Sequence, residues 1–375
     1  MTSVLFVTFE AGGNVPPALG LAQRLAAEGG RALVLGTPSQ RPVVTAAGLE
    51  FEPFSAEQPY RTLAPVNPAA NLSQISRTVT SRAIARDVIR VARRESPDVV
   101  VVDCMLLRPL DASIQAGLRT VTLVHSLPSY FAGPYAKGPV GQAARLCGLR
   151  PARVWAAAAG TIATVLPGFD IGQPGPWADL REVGPITPKS GSGPVAAAAE
   201  RRDRPRVLIA LSTNWFPGQE GTMQKLLDAV DGLDLDVAVT TGPSIDPATL
   251  RSPANATLHQ RADHDQLLAG VDLVVGHGGH GTTMRALARD VPLLIVPSFT
   301  FADQPAVGQR VQEAGAGRTL PAKTSMADLR RAITELAAPG PHREGAAVLG
   351  ARLRALDPAG AAVAYLGAGL PATSR

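Results

Sequence analysis

The chain of 375 residues is poor in cysteine, lysine and aromatic side chains. Two cysteines, Cys104 and Cys147, cannot supply a disulfide framework, and they lack metal-ligand spacing. Reduced thiols in a cytoplasmic protein are therefore expected. Aromatic residues make up 4% of the chain and nowhere interleave with a basic cluster, which argues against a nucleic-acid partner. Four residues are lysine (Lys137, Lys189, Lys225 and Lys323), so the net charge of +5 is carried mostly by arginine. That excess suits either a solvated arginine surface or a field that attracts a dianionic small molecule. No apolar run reaches the ~20 residues of a membrane span. The N-terminus opens directly on a strand pattern, without the basic and apolar segments of a secretion signal. A Walker loop and the dinucleotide glycine spacing are both missing. No Asp-x-Asp pair stands in the stretches read as lining a cleft, so no metal is expected.

What is present is an alternation of short apolar strands and amphipathic helices, the pattern of parallel α/β sheets. One series spans residues 1–183: strands near 3–9, 32–35, 49–51, 98–102, 120–124 and 161–166, with helices between them. A helix is expected over Ser76–Arg94 with an arginine stripe on its solvated side. Residues 55–74 read as a long loop, either a binding rim or a surface insertion. The Pro/Gly-rich and charged residues 184–205 read as a linker. A second βα series fills 206–345, and an alanine-rich helical tail fills 346–375. With 45% hydrophobic residues, the chain can build two cores.

Two polar residues end apolar strands of the first series: Asp103 after Asp98–Val102, and His125 after Thr120–Val124. The carboxyl ends of parallel strands are where open α/β sheets bind ligands. Residues 126–139, with Tyr130, Phe131 and Tyr135, read as an aromatic loop over that edge, either a wall for a hydrophobic ligand or a plug.

The most informative stretch runs from Asp272 to Gln304. Leu273–Val275 read as a buried strand, Gly276–Gly281 as a glycine turn, and Thr282 onward as a helix. A strand, a glycine turn and a helix N-terminus make an anion site, because the first helical N–H groups lack internal partners and the dipole is positive there. His277, His280, Thr282 and Thr283 add donors, and Gly278, Gly279 and Gly281 admit close approach. The alternative is a plain glycine turn with Thr282 as helix cap.

His277-Gly-Gly-His-Gly-Thr-Thr283, followed by Val291-Pro292, Val296-Pro297, Asp303-Gln304-Pro305 and Gly315-Ala316-Gly317, resembles the donor-site signature of family 1 glycosyltransferases. The resemblance implies a GT-B fold, with two facing Rossmann-like domains, a cleft between them and a tail that returns toward the first domain. It implies a sugar donor, a UDP- or dTDP-sugar, and a hydrophobic small-molecule acceptor such as a natural product held by the N-terminal domain. It places the diphosphate at His277, Gly279, His280, Gly281 and Thr282, and the sugar hydroxyls at Asp303 and Gln304. Thr213 would lie near the phosphates and Arg261 near the base. Arg285 stands where many relatives carry a ribose-binding Glu, and it cannot accept those bonds.

In the family a Gly-His-x-x-Pro histidine after the first strand is the general base, oriented by an Asp. Here Asn14 holds the place of that histidine and Asp103 that of the Asp. An amide is no base at neutral pH. Three readings stay open: Asp103 as base, His125 as base with Asp103 orienting it and Asn14 positioning, or loss of transfer. His125 is preferred, because an imidazole matches neutral pH better than a carboxylate. Inverting transfer without a metal is the expected activity. A silent sugar-nucleotide-binding accessory protein and a GT-B nucleotide-sugar epimerase are the alternatives. The sequence leaves homodimer formation open.

Overall fold

The computed structural model describes residues 2–56, 62–63, 67–172, 175–188 and 203–368. Among these the chain forms two compact units. One takes residues 2–56, 62, 67–172, 175–188 and 356–368; the other takes 63 and 203–355.

The first unit is built on a parallel sheet of β1 (Ser3–Val7), β2 (Arg31–Gly36), β3 (Glu50–Pro53), β4 (Val99–Asp103), β5 (Thr120–Val124), β6 (Gly160–Ala163) and β7 (Leu180–Glu182). Their order is β3-β2-β1-β4-β5-β6-β7. β4 and β5 are buried at every residue, as central parallel strands covered on both faces must be. The helix Val15–Ala27 carries Pro16 and Pro17 in its first turn and buries Leu19, Leu21, Ala22 and Leu25. The helix Pro358–Gly367 belongs to the same core through Ala362, Val363 and Leu366. Arg24 clamps its N-cap Asp357 with two bonds of 2.9 Å.

The second unit repeats the plan with β8 (Arg206–Ala210), β9 (Asp236–Thr240), β10 (Ala256–His259), β11 (Leu273–Gly276), β12 (Leu293–Ile295) and β13 (Gly317–Thr319). Their order is β10-β9-β8-β11-β12-β13, all parallel. Among the described residues no helix is long and apolar enough to cross a membrane.

Several local expectations need correction. The segment read as one helix over Ser76–Arg94 is two helices, Pro68–Val79 and Arg82–Glu95. Ser81 breaks the run by leaving the helical region and accepting the Ile84 amide at 3.3 Å. Helix therefore reaches back into the stretch expected as loop, to Pro68, capped by Asn67. The remainder of that proposed rim, residues 57–61 and 64–66, lies outside the described residues, as does 189–202 of the linker. The aromatic loop is helical: a turn at Pro128–Tyr130 runs into a π-turn over Phe131–Tyr135. Phe131 and Tyr135 are buried, which is the plug reading. The tail is interrupted: the helix Pro341–Arg354 stays with the second unit, and the chain changes unit between Ala355 and Leu356.

Candidate functional site

Each sheet has one topological switch point, where the chain leaves neighbouring strands in opposite directions. In the first sheet it falls between β1 and β4, paired at Val7↔Val102. In the second it falls between β8 and β11, paired at Ala210↔Gly276. Ligands bind α/β sheets outside the carboxyl ends of the strands at such points. Asn14 follows β1 and Asp103 closes β4. Thr213 follows β8 and His277 follows β11.

In the first unit Asp103 is 2% and Asn14 1% exposed, so both polar groups must be satisfied internally. Asn14 Nδ2 donates to Asp103 Oδ2 at 3.0 Å and to the Phe9 carbonyl at 2.9 Å. Asn14 Oδ1 accepts from the Ala11 amide at 3.2 Å. The Asn14 side chain does not cap the helix that follows; its amide is spent on the turn and on the carboxylate. Asp103 Oδ1 accepts the Met105 amide at 2.8 Å. His125 Nδ1 lies 3.3 Å from the same Oδ2 that Asn14 contacts.

Because a carboxylate only accepts, this contact assigns the proton of neutral His125 to Nδ1 and leaves the lone pair on Nε2. His125 is also packed edge-on against Phe131, with ring centroids 5.1 Å apart. Its side chain keeps 13% exposure. The arrangement is a held imidazole with its lone pair on Nε2, which can take a proton. Sequence reasoning passed over Cys104, whose Sγ lies 4.0 Å from His125 Nδ1. Burial pushes that thiol well above its ordinary range.

In the second unit the turn after β11 is tighter than the sequence suggested. The helix spans His280–Leu287, so it starts two residues before Thr282, and Gly279 rather than Thr282 is the N-cap. Thr283 makes the first intrahelical bond, to the Gly279 carbonyl. The Gly281 and Thr282 amides stand ahead of it and have no acceptor four residues back within the helix. Gly278 is dictated by backbone, and Gly279 by the ring of His277. Gly278 has φ +89° and a Cβ there would meet the Gln304 carbonyl at 2.7 Å; a Cβ on Gly279 would lie 2.5 Å from His277 Nε2. Gly281 has nothing within 4 Å of an added Cβ, so its absent side chain leaves the first turn open to a ligand. His277 and His280 are both buried, 9% and 7% exposed.

Asp303 and Gln304 sit at the start of the helix Gln304–Glu313. Gln304 is 2% exposed, and its Oε1 accepts the Ser298 and Phe299 amides at 2.9 and 3.0 Å. Half of this amide is therefore used to fold the loop after β12, which leaves only its Nε2 to donate. That loop carries Phe299, stacked on Phe216 from the loop after β8 at 5.2 Å between centroids, another contact that sequence reasoning missed. Thr213 and Arg261 are exposed, each in the loop that follows its strand, β8 and β10. Arg285 is half-buried on the helix His280–Leu287. An Asp-x-Asp sequence does occur just after β10, at Asp263 and Asp265. Asp263 caps the Asp265 amide at 2.8 Å, and Asp265 pairs with Arg289 at 2.9 Å, so the two carboxylates serve the local fold.

Residues 224–366 match the family described as erythromycin biosynthesis protein CIII-like, C-terminal domain. An NDP-glycosyltransferase of Bacillus licheniformis is 33% identical over 134 residues, which cover 35% of this chain and 33% of that protein. The L-demethylnoviosyl transferase of Streptomyces niveus is 33% identical over 144 residues, covering 37% of each. The chain thus spans about a third of the length of these curated relatives. Solved structures extend the likeness in fold over nearly all of it. A calicheamicin glycosyltransferase superposes with a TM-score of 0.75 at 23% identity, covering 99% of this chain and 100% of that one. A spinosyn rhamnosyltransferase complexed with thymidine diphosphate gives 0.75 at 19%, covering 98% and 100%. Residues 224–366 thus resemble that family's C-terminal domain, and the chain as a whole has the GT-B fold of these glycosyltransferase structures.

Proposed function

We propose that this protein is an inverting glycosyltransferase that moves a sugar from a nucleoside-diphosphate sugar to a hydroxyl of a hydrophobic natural product. The observation that carries the reading is the Asp103 carboxylate, which faces His125 Nδ1 and the Asn14 amide with one oxygen. His125 Nε2 takes the acceptor hydroxyl proton as that oxygen bonds to the anomeric carbon. The bond from that carbon to the diphosphate oxygen breaks in the same displacement, which inverts the centre. The leaving diphosphate is stabilised at the start of the helix His280–Leu287 by amide N–H groups, Thr282 and the turn histidines. Asn14 fixes the carboxylate.

Among donors, the reading favours dTDP over UDP. Arg285 offers no acceptor to ribose hydroxyls, and a structural neighbour of similar fold is complexed with thymidine diphosphate. The relatives include enzymes named for L-demethylnoviosyl and aklavinone rhodosaminyl transfer, which supports a natural-product acceptor.

A donor-by-acceptor panel read by mass spectrometry tests the proposal. It should give a glycosylated acceptor and one nucleoside diphosphate released per product, undiminished by EDTA. Sugar conversion without an acceptor would make the protein an epimerase. Donor binding without any release would make it an accessory protein. Turnover lost with EDTA and restored by magnesium would contradict the metal-free mechanism.

A further inference from the structure

We propose that Asp103, Cys104 and His125 form an inhibitory site for a thiophilic divalent cation, zinc foremost. Asp103 and Cys104 lie at the end of β4, and His125 follows the neighbouring β5. The two strands are locked in register by Asp103↔Leu123 and by the Cys104 amide, which donates to the Leu123 carbonyl at 3.0 Å. One carboxylate oxygen, one sulfur and one ring nitrogen all lie within 4.8 Å of one another. The His125 Nδ1 to Asp103 Oδ2 distance is 3.3 Å and the Cys104 Sγ to His125 Nδ1 distance is 4.0 Å.

Those spacings lie close enough for small side-chain shifts to gather the three groups around a tetrahedral ion. Zinc bonds of about 2.3 Å to sulfur and about 2.0–2.2 Å to nitrogen and oxygen place nitrogen and oxygen ligands about 3.4 Å apart, and nitrogen and sulfur about 3.6 Å apart. The carboxylate and imidazole already have this separation, the thiol must close by about 0.4 Å on Nδ1, and it must close by up to about 1.2 Å on the carboxylate oxygen, which lies within 4.8 Å. The surroundings are those of a held ligand set. Asn14 Nδ2 and the Met105 amide fix the carboxylate, and Phe131 packs the imidazole edge-on. Three protein ligands leave the fourth position of a tetrahedral ion to a water. Base chemistry needs Asp103 and His125 but has no use for a sulfur beside Nδ1.

Binding balances simply. The thiol loses its proton to solvent, the Asp103 carboxylate is already anionic, and the ion takes the lone pair of Nδ1. The proton of neutral His125 must then sit on Nε2. An Nε2–H donates and cannot accept the proton of an incoming hydroxyl, so the loaded protein cannot act as base. The site stands on geometry alone; the inhibition rests on His125 being the base of the function proposed above.

The test uses the full chain carrying Cys147→Ser, which removes the exposed thiol. Titration with Co²⁺ should give a saturable one-to-one thiolate-to-cobalt charge-transfer absorption that Zn²⁺ abolishes by competition. Cys104→Ser should remove that absorption, with Cys104→Ala as the second variant should the first not fold by circular dichroism. His125→Ala should weaken Co²⁺ at least about ten-fold, a scale on which even outer-shell partners matter. Zinc should inhibit transfer reversibly with EDTA, and Cys104→Ser should need at least about ten-fold more zinc for the same inhibition. No charge-transfer absorption, or one that survives loss of Cys104, overturns the site. Co²⁺ bound at Cys104 with transfer unaffected by zinc overturns the inhibition, and with it His125 as base.

Discussion

Replacing Asp103 by Asn is the most searching perturbation of the first strand-end site, because the shape is kept and only the hydrogen-bond logic changes. Asp103 now accepts three contacts: the Met105 amide on Oδ1, and Asn14 Nδ2 and His125 Nδ1 on Oδ2. An asparagine has one oxygen to meet them. If its NH2 faces Met105, two donors collide there. If its NH2 faces the other pair, it opposes the Asn14 amide and turns His125 Nδ1 into an acceptor. The proton then moves to Nε2, the wrong tautomer for a base. Leaving one buried donor unsatisfied costs about 1–3 kcal/mol of stability, and the tautomer error costs up to roughly 10⁴-fold in turnover in a comparable Ser-His-Asp site. Turnover should therefore fall by about 10²–10⁴-fold. Affinity for the nucleoside diphosphate should hold, since its proposed residues belong to the other unit. Initial rates of acceptor-dependent diphosphate release, with calorimetric titration of the diphosphate alone, separate the two quantities. His125→Ala should lose about 100-fold or more in the same assay. Full turnover in His125→Ala beside a dead Asp103→Asn would refute the reasoning and make Asp103 the base. Full turnover in both would remove this edge from the chemistry.

The remaining expectations concern the second unit and the stability of the first. Thr282→Ala deletes a hydroxyl donor to a charged phosphate, worth about 1.5–3 kcal/mol, so the diphosphate should bind about ten-fold or more weakly by calorimetry; an unchanged Kd would place the phosphates elsewhere. Gly278→Ala forces a Cβ to 2.7 Å from the Gln304 carbonyl at a φ of +89°, and should cost at least about 1–3 kcal/mol in denaturant unfolding; a wild-type midpoint would show that the turn relaxes freely. The Tyr365 phenol donates to Asp179, and burial followed by that bond pushes its pKa up to about 12. A raised folded pKa gives stability that is fully present below the unfolded value of about 10 and lost as pH rises through the folded one. The advantage over Tyr365→Phe, about 1 kcal/mol, should therefore vanish between about pH 10 and 12, and a difference constant across that window in melts would count against it.

How far the sequence could be read depended on how much each element owes to its own residues. β4 and β5 were legible nearly to the residue, because strands covered on both faces are mostly apolar and β-branched. β7, Leu180-Arg181-Glu182, was not, since a short edge strand held by pairing to β6 carries no apolar signature. The break at Ser81 was missed for the opposite reason: the helical period continues on both sides, and only the side-chain cap reveals the interruption. In the glycine turn the residue types were informative and the boundary was not. Gly279 caps the helix without a side chain, so no capping residue marks the start at His280. The Gln304 contacts to Ser298 and Phe299 are made within a loop whose path the sequence does not encode by any periodicity.

Asn14 shows the limit most clearly. Its separation of 89 residues from Asp103 hides the bond between them, and as a residue type it suggests a helix cap, which the side chain does not provide. Once the bond is seen, the substitution has a chemical sense. A histidine in this place would donate one ring N–H to the carboxylate and offer the other nitrogen to an acceptor. The amide can also donate to the carboxylate, but it has no nitrogen lone pair to offer. Asp103 Oδ2 has room for a second donor, and His125 Nδ1 occupies that direction at 3.3 Å. The carboxylate thus keeps its partner on the β1 side while its orienting bond is shared with an imidazole on β5. Under the proposed chemistry, the site has not lost its base; the base has moved two strands along the sheet, from beyond β1 to the end of β5, on the other side of the same carboxylate at the end of β4.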